Sequence, residues 1–280
     1  MYPHLVVSTE WLYQQLYQKP DADPTGKPVV IDCRFSLAEP EWGYQQYLQA
    51  HIPGAFYLDL NRDLSSKPQK HGGRHPLPNT DQLAPKLAAL GITSQETMVV
   101  AYDDSKFAFA SRLWWLLRYM GHPQVAVLNG GWSGWQRAGY PTSAEIPQKP
   151  KTGDFVPQLQ LEMVVDRAYV QQAQVSQDQI LVDSRSRDRY LGQTEPIDPV
   201  AGTIPTSVNY FWKDVTNDDG ELLPIEQQQK RWQNIGAADE AIVYCGSGVT
   251  ACVNLLSMEA AGVRNRKLYV GGWSDWCSYF

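Results

Sequence analysis

The sequence predicts an α/β protein built from two similar domains, each a mainly parallel sheet with helices on both faces. Two observations carry that expectation: an alternation of short apolar runs with amphipathic stretches, and a set of segments that recurs in order. Residues 29–31, 98–102, 125–128, 181–182, 242–244 and 268–270 form short, continuous apolar runs. Runs of that length, without polar alternation, suit strands buried on both faces. Between them, residues 41–50, 81–90, 108–120, 225–233 and 249–261 read as helices. Strands alternating with helices argue for a parallel sheet with crossover helices.

The recurrence is specific. Val29-Val30-Ile31-Asp32-Cys33-Arg34 resembles Ile180-Leu181-Val182-Asp183-Ser184-Arg185, and His51-Ile52-Pro53-Gly54-Ala55 resembles Thr203-Ile204-Pro205-Thr206-Ser207. Val99-Val100-Ala101-Tyr102-Asp103 matches Ala241-Ile242-Val243-Tyr244-Cys245, and Gly130-Gly131-Trp132-Ser133-Gly134-Trp135 matches Gly271-Gly272-Trp273-Ser274-Asp275-Trp276. Successive offsets of 151, 152, 142 and 141 residues place the extra length of the first half between its second and third segments, around residues 60–90. A period this long is a duplicated domain, not a solenoid repeat. The proline-bearing, aperiodic stretch 142–158 reads as the linker between domains 1–141 and 159–280.

With a hydrophobic content of 43% and 19% charged residues, the 280-residue chain has an ordinary globular composition. Its formal net charge of −6 and lack of basic runs argue against nucleic-acid or membrane-surface partners. The first residues lack the basic start and apolar core of a leader, and no apolar run is long enough to span a bilayer. Cys33, Cys245, Cys252 and Cys277 match neither a zinc spacing nor a disulfide framework, which suits free thiols in a cytoplasmic setting.

The chemistry is expected at Cys245. There a strand runs directly into Cys245-Gly246-Ser247-Gly248-Val249-Thr250 and then into a helix. The carboxyl end of a parallel strand is where such sheets place ligands. Gly246 and Gly248 would let the backbone curl so that amides form an anion nest. Those amides and the helix dipole would favour a thiolate and would hold a persulfide sulfur. A cysteine-dependent phosphatase would need an arginine six positions after the cysteine, where Ala251 stands.

The loop, the duplication and the terminal Gly-Gly-Trp-x-x-Trp together resemble the tandem-domain rhodanese family, over about residues 5–280. Within it the loop is most similar to the 3-mercaptopyruvate sulfurtransferases; thiosulfate sulfurtransferases carry basic residues where Gly246 and Ser247 stand. The resemblance implies two rhodanese-like domains, the first inert because Asp103 replaces the cysteine. It implies a sulfurtransferase with a Cys245 persulfide, with Gly246, Gly248, Val249 and Thr250 lining the substrate and Arg189, in Arg189-Tyr190-Leu191-Gly192, binding its carboxylate. It also implies that Asp63 and His75 act with Ser247 as a proton relay.

The second arginine usual in mercaptopyruvate enzymes is absent from residues 193–200. The dianion thiosulfate would want positive side chains near Gly246 and Ser247, and none is expected there, which favours mercaptopyruvate. The outer sulfur would pass to cyanide, a small thiol or thioredoxin, with no metal or organic cofactor.

Overall fold

In the computed structural model the described residues are 5–18, 26–148, 150–235, 238 and 240–280. Residues 1–4, at the start of the stretch read for a leader, and Lys149 in the linker lie outside them. The chain forms two compact units. The first comprises Met1–Ser65, Pro78–Gln160 and Thr216–Leu222; the second comprises Ser66–Leu77, Leu161–Val215 and Leu223–Phe280. The division is therefore not a single cut at the linker. Part of the extra length around residues 60–90 belongs to the second unit.

The first unit contains β1 (Val6–Val7), α1 (Thr9–Tyr17), β2 (Val29–Asp32), α2 (Trp42–Gln49), β3 (Phe56–Tyr57), α3 (Thr80–Ala89), β4 (Val99–Tyr102), α4 (Ala110–Tyr119), β5 (Val125–Leu128) and α5 (Gly131–Arg137). Its sheet has the order β1-β5-β4-β2-β3, parallel throughout. The second unit contains β6 (Val164–Val165), α6 (Arg167–Ala173), β7 (Gln179–Asp183), α7 (Arg187–Tyr190), β8 (Val208–Asn209), α8 (Ile225–Trp232), β9 (Glu240–Tyr244), α9 (Ala251–Ala260), β10 (Arg266–Tyr269) and α10 (Gly272–Trp276). Its order, β6-β10-β9-β7-β8, repeats the first, again all parallel.

Each central strand is buried because crossover helices cover both faces of its sheet. Val99, Val100, Ala101 and Tyr102 of β4 are fully buried, as are Ile242, Val243 and Tyr244 of β9. The edge strands β1, β3, β6 and β8 are only two residues long, too short to leave an apolar run in the sequence. Side-chain caps start several helices: Ser8 accepts from the Trp11 amide and Asp166 from the Tyr169 amide.

A polar frame is repeated in both cores. In the first unit the Asp32 carboxylate accepts from the Arg34 amide and guanidinium and from the Tyr102 hydroxyl. Arg34 lies over the Trp132 ring, 4.5 Å from its centroid. In the second unit Asp183 accepts from the Arg185 amide and guanidinium, and Arg185 lies 4.9 Å over Trp273. Each arginine also donates to a backbone carbonyl, Arg34 to Ala50 and Arg185 to Gly202. Burial pushes the Asp32 carboxyl upward, while its bonds to Arg34 pull the other way. The pair in the second unit is almost inaccessible to water, so removing one partner strands a charge in the core. Arg185→Ala should therefore cost about 3–5 kcal/mol of stability. Urea denaturation of the full chain, followed by tryptophan fluorescence, would measure it.

Candidate active site

The loop after β9 is pinned from behind. The Cys245 carbonyl accepts from the Trp273 amide and the Gly246 carbonyl from the Ser274 amide, both at 2.8 Å. The turn that supplies them begins at Gly271-Gly272. A Cβ on Gly272, at φ 59°, would lie 2.5 Å from the Cys245 carbonyl oxygen. Gly248 has φ 71°, and a Cβ there would lie 2.3 Å from the Val270 carbonyl oxygen. Here glycine is required both by the left-handed backbone and by the close approach. Val249 is buried, and Thr250 occupies the cap position of α9. Cys252 is buried inside α9, its thiol against the Gly248 carbonyl.

Gly246 serves a different purpose from the one expected. Its φ is not left-handed. A Cβ on it would instead lie 2.9 Å from Arg74 Nη2, 3.4 Å from Arg189 Nη2 and 3.6 Å from Arg189 Nη1. Glycine leaves room for two guanidiniums beside the cysteine. The expectation that no positive side chain stands near Gly246 is therefore corrected: the loop has none of its own, but two arrive from elsewhere.

Arg189 comes from α7, directly after the Asp183–Arg185 frame. Arg74 comes from the 66–77 segment of the second unit, far in the chain from residues 193–200, and no local pattern in the sequence marks it. The segment is tied down by its backbone. The Gly72 amide donates to Asp275 at 2.7 Å and the Arg74 amide to Ser274 Oγ at 3.1 Å. Gly73, at φ 82°, passes so close to Gly271 that a Cβ would lie 2.4 Å from its carbonyl oxygen. Burial and neighbouring Arg189 lower the Arg74 pKa, and the Cys245 sulfur acts in the opposite direction.

The same segment delivers His75. Its Nδ1 is 2.7 Å from Ser247 Oγ, and both residues are buried. Of the relay expected from the resemblance, the second unit thus brings Ser247 and His75 together. Asp63 belongs to the first unit, where its carboxylate accepts from the Lys86 ammonium and from the Asp59 amide. His71 lies elsewhere, bonded to Ser278 and stacked on Tyr279.

The first unit has the matching loop without sulfur. The Trp132 amide donates to the Asp103 carbonyl as Trp273 does to Cys245. The Asp103 carboxylate accepts from the amides of Ser105 and Phe107 at 2.8 and 3.1 Å, and of Phe109 and Ala110 at 2.8 Å each. Burial raises its pKa, against the pull of these four bonds. To reach it the backbone turns left-handed at Lys106 and Phe107, neither of them glycine. Such conformations cost about 1–3 kcal/mol each.

All four cysteines are free and buried. Among the described residues no cluster of three or more His, Cys, Asp or Glu could hold a metal, and no helix is long and apolar enough to cross a membrane.

Comparison with known proteins agrees with this geometry. The rhodanese-like domain family matches residues 8–138 and again 166–279. A Pseudomonas aeruginosa protein named "Probable 3-mercaptopyruvate sulfurtransferase" is 44% identical over 89% of this chain and 88% of its own. The mouse thiosulfate sulfurtransferase is 32% identical over 97% of this chain and 91% of its own. The 3-mercaptopyruvate sulfurtransferase of Leishmania major superposes with a TM-score of 0.81 at 26% identity, covering 99% of this chain and 75% of that one.

Gly248→Ala should remove most activity of the loop and cost about 1–3 kcal/mol of stability, because alanine is strained at this φ and meets Val270. Thermal unfolding and transfer assays on the same preparation would check both. The chain belongs to the rhodanese-like family, as a sulfurtransferase with two rhodanese-like domains.

Proposed function

We propose that the protein takes sulfur from 3-mercaptopyruvate onto Cys245 and passes it to a thiophilic acceptor. The observation that carries the reading is the buried Ser247–His75 pair, one residue of which stands two positions from Cys245. Thiosulfate has no carbonyl and gives up its sulfur without needing a proton on carbon. Mercaptopyruvate does need one. The names of the relatives point both ways, and the pair favours the second donor.

In the first step the Cys245 thiolate attacks the donor sulfur. The S–S bond forms and the C–S bond breaks, and its electron pair moves into the pyruvate enolate. The Ser247 hydroxyl, polarised by His75, hydrogen-bonds the developing enolate oxygen and passes a proton, with solvent completing protonation to pyruvate. Arg189 and Arg74 hold the carboxylate side by side, through the N–H groups of Arg189 Nη1 and Arg74 Nη2. In the second step an acceptor thiolate, cyanide or thioredoxin attacks the outer sulfur and restores the Cys245 thiolate. Such double displacement gives ping-pong kinetics. The cycle uses no metal or organic cofactor, the Asp103 loop is inert, and free thiols suit a cytoplasmic setting. Asp63 remains the proposed third member of the relay.

The test compares kcat/KM for 3-mercaptopyruvate and thiosulfate with a common acceptor. Wild type should prefer mercaptopyruvate; a clear preference for thiosulfate would overturn the choice of donor. His75→Asn should lower kcat with mercaptopyruvate by roughly 10²-fold or more while leaving the thiosulfate rate nearly unchanged.

A further inference from the structure

Residues 193–200, which contain no arginine, supply two carboxylates: Asp198 joins Arg74 to Arg189, and Glu195 holds Arg189. Asp198 contacts Arg74 Nη1 through one oxygen and accepts from Arg189 Nη2 through the other, at 3.2 Å for the latter. Glu195 accepts from Arg189 Nε and Nη2 at 3.1 and 2.7 Å, and from Arg185 Nη1 at 3.2 Å. Glu195 also accepts from the amides of Ile197 and Asp198, which closes the turn. The Asp198 side chain is only 2% exposed, so water and salt screen its charge much less than they would at the surface.

These contacts divide the two guanidiniums. Arg189 Nη1 and Arg74 Nη2 have no partner among the described residues, and they are among the atoms that crowd the position of a Gly246 Cβ. The remaining donors are thus presented to the Cys245 loop. Arg74, Arg185 and Arg189 are matched by Asp183, Glu195 and Asp198, three charges against three. The site offers directed hydrogen bonds with little surplus positive charge.

We infer that Asp198 is a positioning and specificity residue: it clamps Arg74 to Arg189 and cancels charge, so that the loop favours a donor with one negative charge over one with two. This rests on the persulfide reading above. Repulsion from a fixed carboxylate grows in proportion to the donor's charge, so a dianion is penalised about twice as strongly as a monoanion. Asp198 thereby supplies discrimination that the neutral loop, flanked by two arginines, does not.

The test is Asp198→Asn, assayed with both donors. The thiosulfate to mercaptopyruvate ratio of kcat/KM should rise roughly tenfold, chiefly through a lower KM for thiosulfate. Asp198→Glu should return the ratio toward wild type. Equal losses with both donors would mean a merely structural role and would overturn the inference. A second readout does not depend on sulfur transfer: the rates at which iodoacetate and neutral iodoacetamide alkylate Cys245, followed by peptide mass. Their ratio should rise in Asp198→Asn and fall in Arg74→Gln; an unchanged ratio in either variant would overturn the inference. If wild type takes sulfur from neither donor, the proposed function fails while the alkylation ratio still reports on Asp198.

Discussion

The Cys245 carbonyl accepts a hydrogen bond from the Trp273 amide at 2.8 Å, and the placement of the Cys245 side chain depends on that bond and on what stands behind it. Trp273 lies beneath Arg185, and Arg185 is locked to Asp183 at the end of the neighbouring strand β7. A buried ion pair is costly to form and costly to break, so it fixes one arrangement. The loop can then curl over Gly248 without wandering, and a rigid support is what a reacting atom requires.

The same frame operates in both units, and what sits on it differs. In the first, Asp103 turns its carboxylate back into the loop and takes four amides for itself, at the cost of two strained residues. In the second, Cys245 stands at that position, followed by glycines at 246 and 248. A built-in anion thus holds the backbone of the first loop in place where no cysteine stands.

Much of this was legible in the sequence. The topology could be read because buried parallel strands leave continuous apolar runs, and Cys245 because cysteine, glycine and a following helix stand together in the chain. Residues brought in from afar were not legible. Arg74 looks like an ordinary loop arginine until the backbone of 66–77 is seen tied to Asp275 and Ser274. Gly246 was assigned to backbone freedom, when its missing Cβ makes room for Arg74 and Arg189. Glu195 and Asp198 marked an absence of arginine, whereas they are the groups that hold the arginines. His75 paired with Ser247 was reached only through the resemblance, since no local pattern links residues so distant in the chain.

The most direct test of the account is the mass of the protein after brief treatment with 3-mercaptopyruvate and removal of excess donor. The account predicts a gain of one sulfur atom, located on the Cys245 peptide, removed by cyanide and absent in Cys245→Ser. Unmodified wild-type protein, or sulfur on any other cysteine, would contradict it.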